Sequence, residues 1–592
     1  MQDPVFRYKK LPIRTHRESL YLRVLNEILI KPEWWIKIKE EAVVDNWRQE
    51  ARCGISALLL GNNGETGVGQ ANAGPEAVEL ERSADVEPTA VDADIDTEQQ
   101  PIRHVTDSEL EYIAANRLIV HKNGGTIVPT SSHGVFISDN VVPIQTISHL
   151  ARYAAAIESE SLKKNKWHEG SDEKVLNLIH PSDYCLVYRR SLKRGKLTQL
   201  IGSEPFQYTG ITYGDVSEKF QWLPSEFKVN QDGGVEIRSY INNLNRRKHP
   251  EVQDAIKSIF ESMVPMFERA LGSFETQPTN RIKASLNNND YQQDQYEWQF
   301  DEYLRHKHGV NVNLKDQSLR EAAEDDNELD EFIDSLWESK RFRPIHVPGL
   351  PKSFEVPADS EAHCFNLAGR HLQVIVKMAS IHLTPEKPSF TGGSWHLEGM
   401  ENEAIAATGI LYYAMDNITS SRLTFRNVHE HDEDVNFTYA QHDYVGLEKV
   451  FNFENASTNN VQICGQIEGR ENRCVVFPNF LHHKVEDFEL RDKTRPGHRK
   501  ILAFFLVHPD FKVISTADVG IQQLDWAAED LFRIGGFGSK LPMEIVRQIV
   551  VASGGCFSEK EANEMADLVM EERVNTPEEW YANVQHINLC EH

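Results

Sequence analysis

The sequence predicts an α+β protein whose core is a double-stranded β-helix, the jelly-roll arrangement of two facing sheets that also occurs in cupins. Three observations lead to this prediction. Short strand patterns fill the stretch from about residue 360 to 510. One of these strands, 501–507, is apolar on both faces, as expected of a strand between a second sheet and a layer of helices. Amphipathic patterns before and after this stretch predict extensive N-terminal and C-terminal helical flanks.

Three predicted regions precede the core. Residues 1–60 are expected to form N-terminal helices, the first of which begins with a capping box at Thr15. Residues 61–105 are predicted to be a disordered acidic insertion, because the stretch 61–100 carries ten acidic side chains, one base and no sustained periodicity. Residues 106–345 combine helix and strand patterns, and we expect this α+β region to pack on the core.

Two more regions complete the chain. Residues 346–515 are predicted to be the double-stranded β-helix domain, and they contain all the candidate site residues described below. Residues 516–592 are predicted to be a C-terminal helical region, whose last clear helix begins with a cap at Ser558. No run of 18 uncharged apolar residues occurs, so neither a transmembrane helix nor a membrane partner is expected.

Composition narrows the class of protein. The chain has 592 residues, of which 40% are hydrophobic and 26% charged, and this is typical of a globular protein too long for one simple core. Its net charge of −27 disfavours non-specific binding to nucleic acid. Seven scattered cysteines indicate reduced thiols rather than a disulfide framework, which predicts a cytoplasmic location and leaves a nuclear one open.

Two short stretches carry candidate metal ligands. In the stretch 393–399, His396 and Glu398 are two residues apart, so on a strand they project from the same face. In the stretch 477–485, His483 lies at the start of another strand pattern. Two histidines and one carboxylate that leave three coordination positions open form the facial triad of non-haem Fe(II) oxygenases. The sequence therefore predicts a catalytic Fe(II) site formed by these three residues.

Other histidines in the sequence are alternative candidates for metal binding. His482 competes with His483 for the third ligand position, although alternation along the strand groups His483 with Val485 and so favours it. A His-x-His sequence at 429–431 lies beside carboxylates and resembles a second metal box. Its charged surroundings and the lack of flanking glycines indicate a solvated loop instead.

A cation, Arg499, lies at the start of the last apolar strand of the predicted core. Arg499 lies sixteen residues after His483, and its strand face is otherwise apolar. A buried guanidinium needs an anionic partner, and it binds carboxylates by a planar, bidentate ion pair. We therefore expect Arg499 to bind the distal carboxylate of 2-oxoglutarate. Arg491 and Arg495 lie in a loop where solvent is expected, and Lys500 faces the other side of the strand.

The chain also resembles the fungal family of uncharacterised proteins labelled DUF4246, whose members resemble 2-oxoglutarate/Fe(II) oxygenases. The matching stretches are residues 166–171, 220–224, 239–244, 392–407, 495–507 and 589–592. Members of the family read Gln-His where this chain has His482-His483, which implies that His483 is the ligand. The resemblance covers nearly the whole chain, but it implies no particular substrate.

The function favoured by these observations is an Fe(II)- and 2-oxoglutarate-dependent oxygenase that oxidises an unidentified small molecule or peptide while 2-oxoglutarate is decarboxylated to succinate. Two alternatives remain. One is a non-catalytic jelly-roll binding scaffold, which would have no reason to keep four polar groups in an apolar barrel. The other is a metal-dependent cupin-type enzyme that does not use 2-oxoglutarate and differs from the favoured function only in its use of Arg499. No sequence feature identifies the substrate.

Overall fold

The computed structural model of the chain describes residues 11–50, 105–120, 124–195, 199–202, 216–278, 280–282, 295–339, 341, 353–356, 364–428, 445–452, 461–534, 536 and 538–584. These residues form a mixed α+β structure with a large antiparallel sheet and many helices. The predicted acidic insertion, apart from residue 105, and the His-x-His sequence at 429–431 lie outside the described residues.

Helices precede, interrupt and follow the strands. The α-helices are α1 (His16–Leu29), α2 (Trp34–Lys37), α3 (Asp107–Asn116), α4 (Ile144–Lys163), α5 (Pro250–Gly272), α6 (Gln295–His308), α7 (Gln317–Glu324), α8 (Glu328–Glu338), α9 (Val445–Phe451), α10 (Leu524–Ile534), α11 (Met543–Ala552) and α12 (Glu559–Val584), and residues 41–50 are also helical. α1 begins where the capping box predicts it, because the side chain of Thr15 accepts a hydrogen bond from the N–H of Glu18.

The strands form one large and several small sheets. They are β1 (Ile119–Val120), β2 (Thr126–Pro129), β3 (Phe136–Ser138), β4 (Val175–Ile179), β5 (Leu186–Val187), β6 (Phe220–Gln221), β7 (Ser225–Val229), β8 (Val235–Ile237), β9 (His371–Leu383), β10 (Ser389–Phe390), β11 (Ile405–Asp416), β12 (Ser421–Val428), β13 (Val461–Gly469), β14 (Cys474–Pro478), β15 (His482–Val485), β16 (Phe488–Glu489) and β17 (Gly497–Val507). Ten of these described strands make an antiparallel sheet in the order β1-β2-β3-β14-β11-β17-β9-β7-β8, with β4 also paired to β9. A three-stranded sheet has the order β13-β12-β15, and β5–β6 and β10–β16 are two-stranded.

One face of the large sheet packs on the long helices α4 and α5. Phe504 of β17 meets Phe260 of α5 edge to face, with ring centroids 5.2 Å apart, and both lie in one buried apolar cluster. α5 approaches β11 so closely at Gly409 that a Cβ atom there would lie 2.6 Å from the ring of Phe267. A side chain at position 409 would therefore push the helix away from the sheet and expose apolar surface.

The opposite face of the large sheet faces the three-stranded sheet, and we call the space between them the sheet interior. Phe425 of β12 and Phe477 of β14 meet across this space with ring centroids 5.0 Å apart, and they share a buried cluster with Phe505. Because side chains alternate along a strand, Phe504 faces the helices and Phe505 faces the sheet interior. The apolar run 501–507 is thus covered on both sides, as its composition predicts.

The large sheet joins parts of the chain that the sequence assigned to different regions. β1 to β4, β7 and β8 come from residues 106–345, whereas β9, β11, β14 and β17 come from residues 346–515. The boundaries between the predicted regions stay predictions. Across the described ranges, no helix combines the length and the apolar composition needed to cross a membrane.

Candidate metal centre

His396 and His483 face each other as an isolated antiparallel bridge. The N–H of His396 donates to the C=O of His483 at 3.2 Å, and the N–H of His483 donates to the C=O of His396 at 3.0 Å. Residues paired in this way project from the same face, and the two imidazole rings lie 4.4 Å apart between centroids. The pairing makes neighbours of two histidines that are 87 residues apart in the sequence (483 − 396).

Glu398 completes a three-residue group with these histidines. Its Oε1 lies 3.3 Å from Nε2 of His483 and 3.7 Å from Nε2 of His396. One ligand atom from each residue lies within 4.8 Å of the others. Ligand atoms about 2.1 Å from one ion at right angles lie roughly 3 Å apart, so small side-chain adjustments would fit the group to one transition-metal ion. The His396 side chain is 41% exposed, against 11% for Glu398 and 4% for His483, which places the open side of the group at His396.

The three groups together attract positive charge. Burial alone would raise the pKa of Glu398, but hydrogen bonds and charges from His396 and His483 hold it well below its ordinary value, so the carboxylate is ionised. Burial lowers the pKa of His483, and the nearby charge of His396 lowers it further. Burial also acts to lower the pKa of His396, yet the Glu398 carboxylate outweighs it and raises that pKa. A metal ion would take the place of the proton that His396 otherwise attracts.

Backbone and aromatic contacts orient the two imidazoles. Nδ1 of His396 lies 2.9 Å from the C=O of Ser394. Because a carbonyl can only accept, Nδ1 carries the proton of the neutral ring and Nε2 keeps a lone pair for a metal. The ring of Phe477 packs edge-on against His483 with centroids 4.7 Å apart, which covers this candidate ligand with apolar surface.

Asn479 holds the backbone at Glu398. Its Oδ1 accepts a hydrogen bond from the N–H of Glu398 at 2.9 Å, and its Nδ2 donates to the C=O of Glu398 at 2.9 Å and of Ile405 at 3.0 Å. Asn479 is fully buried, so water does not compete for these bonds. The next turn needs a glycine, because Gly399 has a φ of +67° and a Cβ atom there would lie 2.5 Å from Oε2 of Glu403.

His482, the alternative third ligand, lies outside this group. It precedes His483 on β15, so its side chain projects to the other face of the strand, and the register pairs it with Arg426 of β12. Within the described ranges, the group of His396, Glu398 and His483 is the one set of histidine, cysteine and acidic residues close enough to share an ion. The geometry thus brings His483, and not His482, to the other two predicted ligands.

Arg499 is a buried cation in the sheet interior. It is 3% exposed and lies opposite Ile381 of β9. Its Nη2 donates to the hydroxyl of Tyr412 at 3.4 Å, and its guanidinium lies 4.9 Å from the Tyr412 ring centroid. Its Nε has no hydrogen-bond acceptor, and no carboxylate of the described residues lies within ion-pair distance. A buried guanidinium is costly without an anion, and none of the described residues supplies one.

The other cations near Arg499 face elsewhere. Arg495 pairs with Asp416 at 2.9 Å and its side chain is 53% exposed. Lys500 projects to the helix-facing side of β17 and pairs with Glu158 at 2.7 Å. Arg491 is exposed. Of the cations that the sequence offered for a dicarboxylate, Arg499 is therefore the one that faces the sheet interior.

Sequence reasoning missed two residues near this site. Asn479 carries no periodic signal, because its role depends on a backbone 81 residues away (479 − 398). Lys377 projects from β9 into the sheet interior, opposite Ala503 of β17. It is the one Lys, Arg, Asp or Glu residue of that strand. A single charge in a long buried strand is unusual, and this signal could have marked Lys377 in advance.

Comparison with known proteins gives a family match over most of the chain. The family described as "Protein of unknown function (DUF4246)" matches residues 105–530, which is more than half of the chain. The family described as "Domain of unknown function DUF4246, N-terminal" matches residues 2–50. No protein with a curated description matches the sequence.

Two solved structures show only distant likeness. IDO from Bacillus thuringiensis is 12% identical, and the match covers 24% of this chain and 48% of that chain with a TM-score of 0.15. A selenomethionine-labelled Fe(II)/(alpha)ketoglutarate-dependent dioxygenase, TqaL, is 10% identical, and the match covers 50% of this chain and 70% of that chain with a TM-score of 0.21. This chain thus spans about half the length of the first protein. At such TM-scores neither likeness carries an argument about fold or function.

Proposed function

This chain belongs to the DUF4246 family, and from that premise and the geometry of its candidate site we propose that it is an Fe(II)- and 2-oxoglutarate-dependent oxygenase. One observation carries the proposal: a group of two histidines and one carboxylate occurs together with a buried guanidinium that has no carboxylate partner among the described residues. The first is the ligand set of non-haem Fe(II) oxygenases. The second matches the distal carboxylate of a dicarboxylate cosubstrate.

The proposal includes the finer description of the core as a double-stranded β-helix. In that fold, the strands divide between two facing antiparallel sheets. The order of the strands supports it, because β9, β11, β14 and β17 belong to the large sheet while β12, β13 and β15 belong to the three-stranded sheet. The bridge between His396 and His483 adds the segment around His396 to the smaller sheet.

Each residue has a distinct role in the proposed site. His396, Glu398 and His483 would hold one face of the ion and leave the opposite face open to cosubstrate and oxygen. Arg499 would bind the distal carboxylate of 2-oxoglutarate, with its guanidinium held against the Tyr412 ring. Phe477 and the apolar cluster around it would keep water away from His483. Iron and 2-oxoglutarate together supply the oxidising chemistry, in which 2-oxoglutarate is decarboxylated to succinate.

Metal binding and succinate formation test the proposal together. Protein purified without oxygen should bind a single Fe(II) per chain and convert 2-oxoglutarate to succinate slowly even without substrate. His396→Ala and His483→Ala should abolish both properties while the melting temperature stays close to that of the wild type. His482→Asn is the matched control, because it changes the neighbouring histidine on the other face of β15. Succinate formation that survives in both alanine variants would rule the proposal out.

The same experiment separates the alternatives. A binding scaffold would take up no iron at any concentration. A cupin-type metal enzyme without 2-oxoglutarate would bind iron but would not need the Arg499 guanidinium for its activity. Loss of succinate formation in Arg499→Ala with unchanged iron content therefore favours the proposed function over both.

A further inference from the structure

A second cation, Lys377, faces the same sheet interior as Arg499. Lys377 lies opposite Ala503 of β17, whereas Arg499 lies opposite Ile381 of β9. Residues 377 and 381 are four positions apart on one strand, so they project from the same face at a separation of roughly 13 Å. Two positive side chains thus enter the same apolar space from different points.

Lys377 has no counter-ion in the described part of the chain. Its ammonium group forms no ion pair or side-chain hydrogen bond with the described residues, although the side chain is half-buried. Lys500, on the helix-facing side of the same sheet, shows the usual alternative, because it pairs with Glu158 at 2.7 Å. A partly buried ammonium group without a carboxylate is unfavourable, and none of the described residues supplies that carboxylate.

His180 comes beside Lys377, because β4 pairs Ile179 with Met378 of β9 and His180 is the next residue along the chain. Burial lowers the pKa of His180, and the charge of Lys377 lowers it further. The same two causes act on His168, whose ring meets that of His180 with centroids 6.0 Å apart. Lys377 lies on the face of the large sheet that also bears Phe505 and Phe477, and Phe477 packs against the candidate ligand His483. Lys377 and the candidate metal centre therefore border the same space.

His180 offers a second donor at this place. The backbone N–H of Ser182 donates to Nδ1 of His180 at 3.3 Å, so the proton of the neutral ring lies on Nε2. The ring is 5% exposed and is held in place by its surroundings. The hydroxyl of Ser182 in turn accepts from Nε1 of Trp222, whose ring stacks on Phe505 of the sheet interior at 5.7 Å. His180 and the stacked rings of Trp222 and Phe505 therefore border the same part of the sheet interior as Lys377.

The charges of the proposed site select the class of ligand. Fe(II) brings two positive charges, Arg499 and Lys377 bring one each, and Glu398 brings one negative charge, which leaves three positive charges. The two carboxylates of 2-oxoglutarate neutralise two of them. One positive charge is left for the substrate, and a carboxylate matches it better than a phosphate monoester, which carries about −1.5 to −2.

On the basis of the proposed function, we propose that Lys377 recognises the substrate and that the substrate is a carboxylic acid whose carboxylate binds the Lys377 ammonium group. In this proposal Arg499 binds the cosubstrate and Lys377 binds the substrate. The substrate of this site is a monocarboxylate, whose single negative charge matches the one positive charge that remains.

A paramagnetic metal makes this testable without knowledge of the substrate. The full chain is loaded with Mn(II) and saturating 2-oxoglutarate, and acetate and acetamide serve as probes. Mn(II) speeds the relaxation of protons on a probe that binds close to it. Acetate should show this effect in the wild type, whereas acetamide, which has the same size and no charge, should not. Lys377→Gln should weaken acetate binding about tenfold, the loss expected for one charge-assisted hydrogen bond.

Two further variants test whether the effect depends on the positive charge at position 377 and not on the total charge of the protein. Lys377→Arg keeps the positive charge and should retain the effect on acetate. Lys387→Gln removes a lysine that lies just beyond β9 and pairs with Asp172 and Glu173, and it should behave as the wild type. Melting temperature and Mn(II) content should be the same in all variants.

The outcomes distinguish failure of this inference from failure of the proposed function. Equal acetate relaxation in the wild type and Lys377→Gln, with metal and 2-oxoglutarate bound, overturns the role of Lys377 alone. Weaker 2-oxoglutarate binding in Lys377→Gln also overturns it, because Lys377 would then belong to the cosubstrate site. A wild-type chain that binds neither Mn(II) nor 2-oxoglutarate overturns both proposals.

Discussion

Arg573 of the last helix, α12, and Glu403, five residues after the proposed ligand Glu398, form a buried ion pair with Nη2 2.5 Å from Oε1. The Glu403 side chain is fully buried and that of Arg573 is 13% exposed. The same carboxylate accepts the backbone N–H groups of Met400 and Trp222. The C-terminal helix therefore helps to hold the turn that follows a candidate metal ligand, although it lies beyond residue 530, where the family match ends.

Removal of the Arg573 charge should weaken both the fold and the metal centre. Arg573→Met leaves the Glu403 carboxylate buried without its cation, which costs about 3–5 kcal/mol in comparable pairs. The loosened turn should also lower metal affinity by about 10-fold or more, as changes behind a ligand usually do. Thermal unfolding and Mn(II) titration measure the two effects. The double variant Arg573→Met/Glu403→Gln should regain part of the stability, because no buried charge remains. Unchanged metal affinity in the single variant would show that the ion pair serves the fold alone.

Asn479 should matter more to the metal than to the fold. Asn479→Ala removes three hydrogen bonds, two of them to the backbone of Glu398, and frees this ligand to move. We expect a loss of about 10- to 100-fold in metal affinity and of about 1–3 kcal/mol in the free energy of unfolding. Equilibrium metal titration and urea unfolding give the two numbers. Asn479→Asp keeps the acceptor for the Glu398 N–H and should fall between the wild type and the alanine variant.

The effect of replacing Arg499 on the melting temperature should depend on whether 2-oxoglutarate is present. In the absence of a dicarboxylate, Arg499→Met should raise the melting temperature, because it replaces a buried guanidinium that has no carboxylate partner among the described residues. In the presence of 2-oxoglutarate the wild type should gain stability and the variant should not, with a loss of about 2–5 kcal/mol in cosubstrate binding.

The control for this prediction is Arg495→Met, which removes an exposed arginine from the preceding loop. It should change neither the melting temperature without ligand nor the stabilisation by 2-oxoglutarate. A stabilisation by 2-oxoglutarate that is equal in Arg499→Met and the wild type would exclude Arg499 as the cosubstrate residue.

Glu158 should make the free energy of unfolding depend on pH in the acidic range. It lies 2.9 Å from His382 and 2.7 Å from Lys500 on the helix-facing side of the large sheet. Burial alone would raise its pKa, but hydrogen bonds from these two residues lower the pKa to about 2. A carboxyl group with a lowered folded pKa stabilises the fold fully above its unfolded pKa of about 4.3, and this contribution is lost as the pH falls towards the folded pKa.

The variant Glu158→Gln tests this linkage. It should lower the free energy of unfolding at neutral pH by about 2–3 kcal/mol and should flatten the loss of stability between roughly pH 5 and pH 3. Urea unfolding at several pH values measures both effects. Glu160→Gln changes a neighbouring carboxylate whose side chain is 54% exposed, and it should leave the pH dependence as in the wild type.

Local pattern determined several features of this protein in advance. The capping box at Thr15 predicted the start of α1. This was possible because the Thr15 hydroxyl accepts a hydrogen bond from a backbone N–H only three residues further along the chain. The two-residue spacing of His396 and Glu398 predicted that their side chains lie together, and they do, although Glu398 lies in a bend and not on the expected strand. The alternation after His483 predicted which of two adjacent histidines lies with His396 and Glu398. The alternation after Arg499 predicted that its side chain joins the inward-facing residues of β17.

Only the tertiary structure decided which distant segments meet. A strand pattern reports the face of each side chain but not its partner strand, because any apolar strand can satisfy its hydrogen bonds with many others. The bridge between His396 and His483, the hydrogen bonds from Asn479 to Glu398 and the reach of Arg573 into the core all depend on such pairing. Lys377 is the same case: the sequence shows one charge in an apolar strand, and only the register of β9 on β17 brings that charge to the space it shares with Arg499.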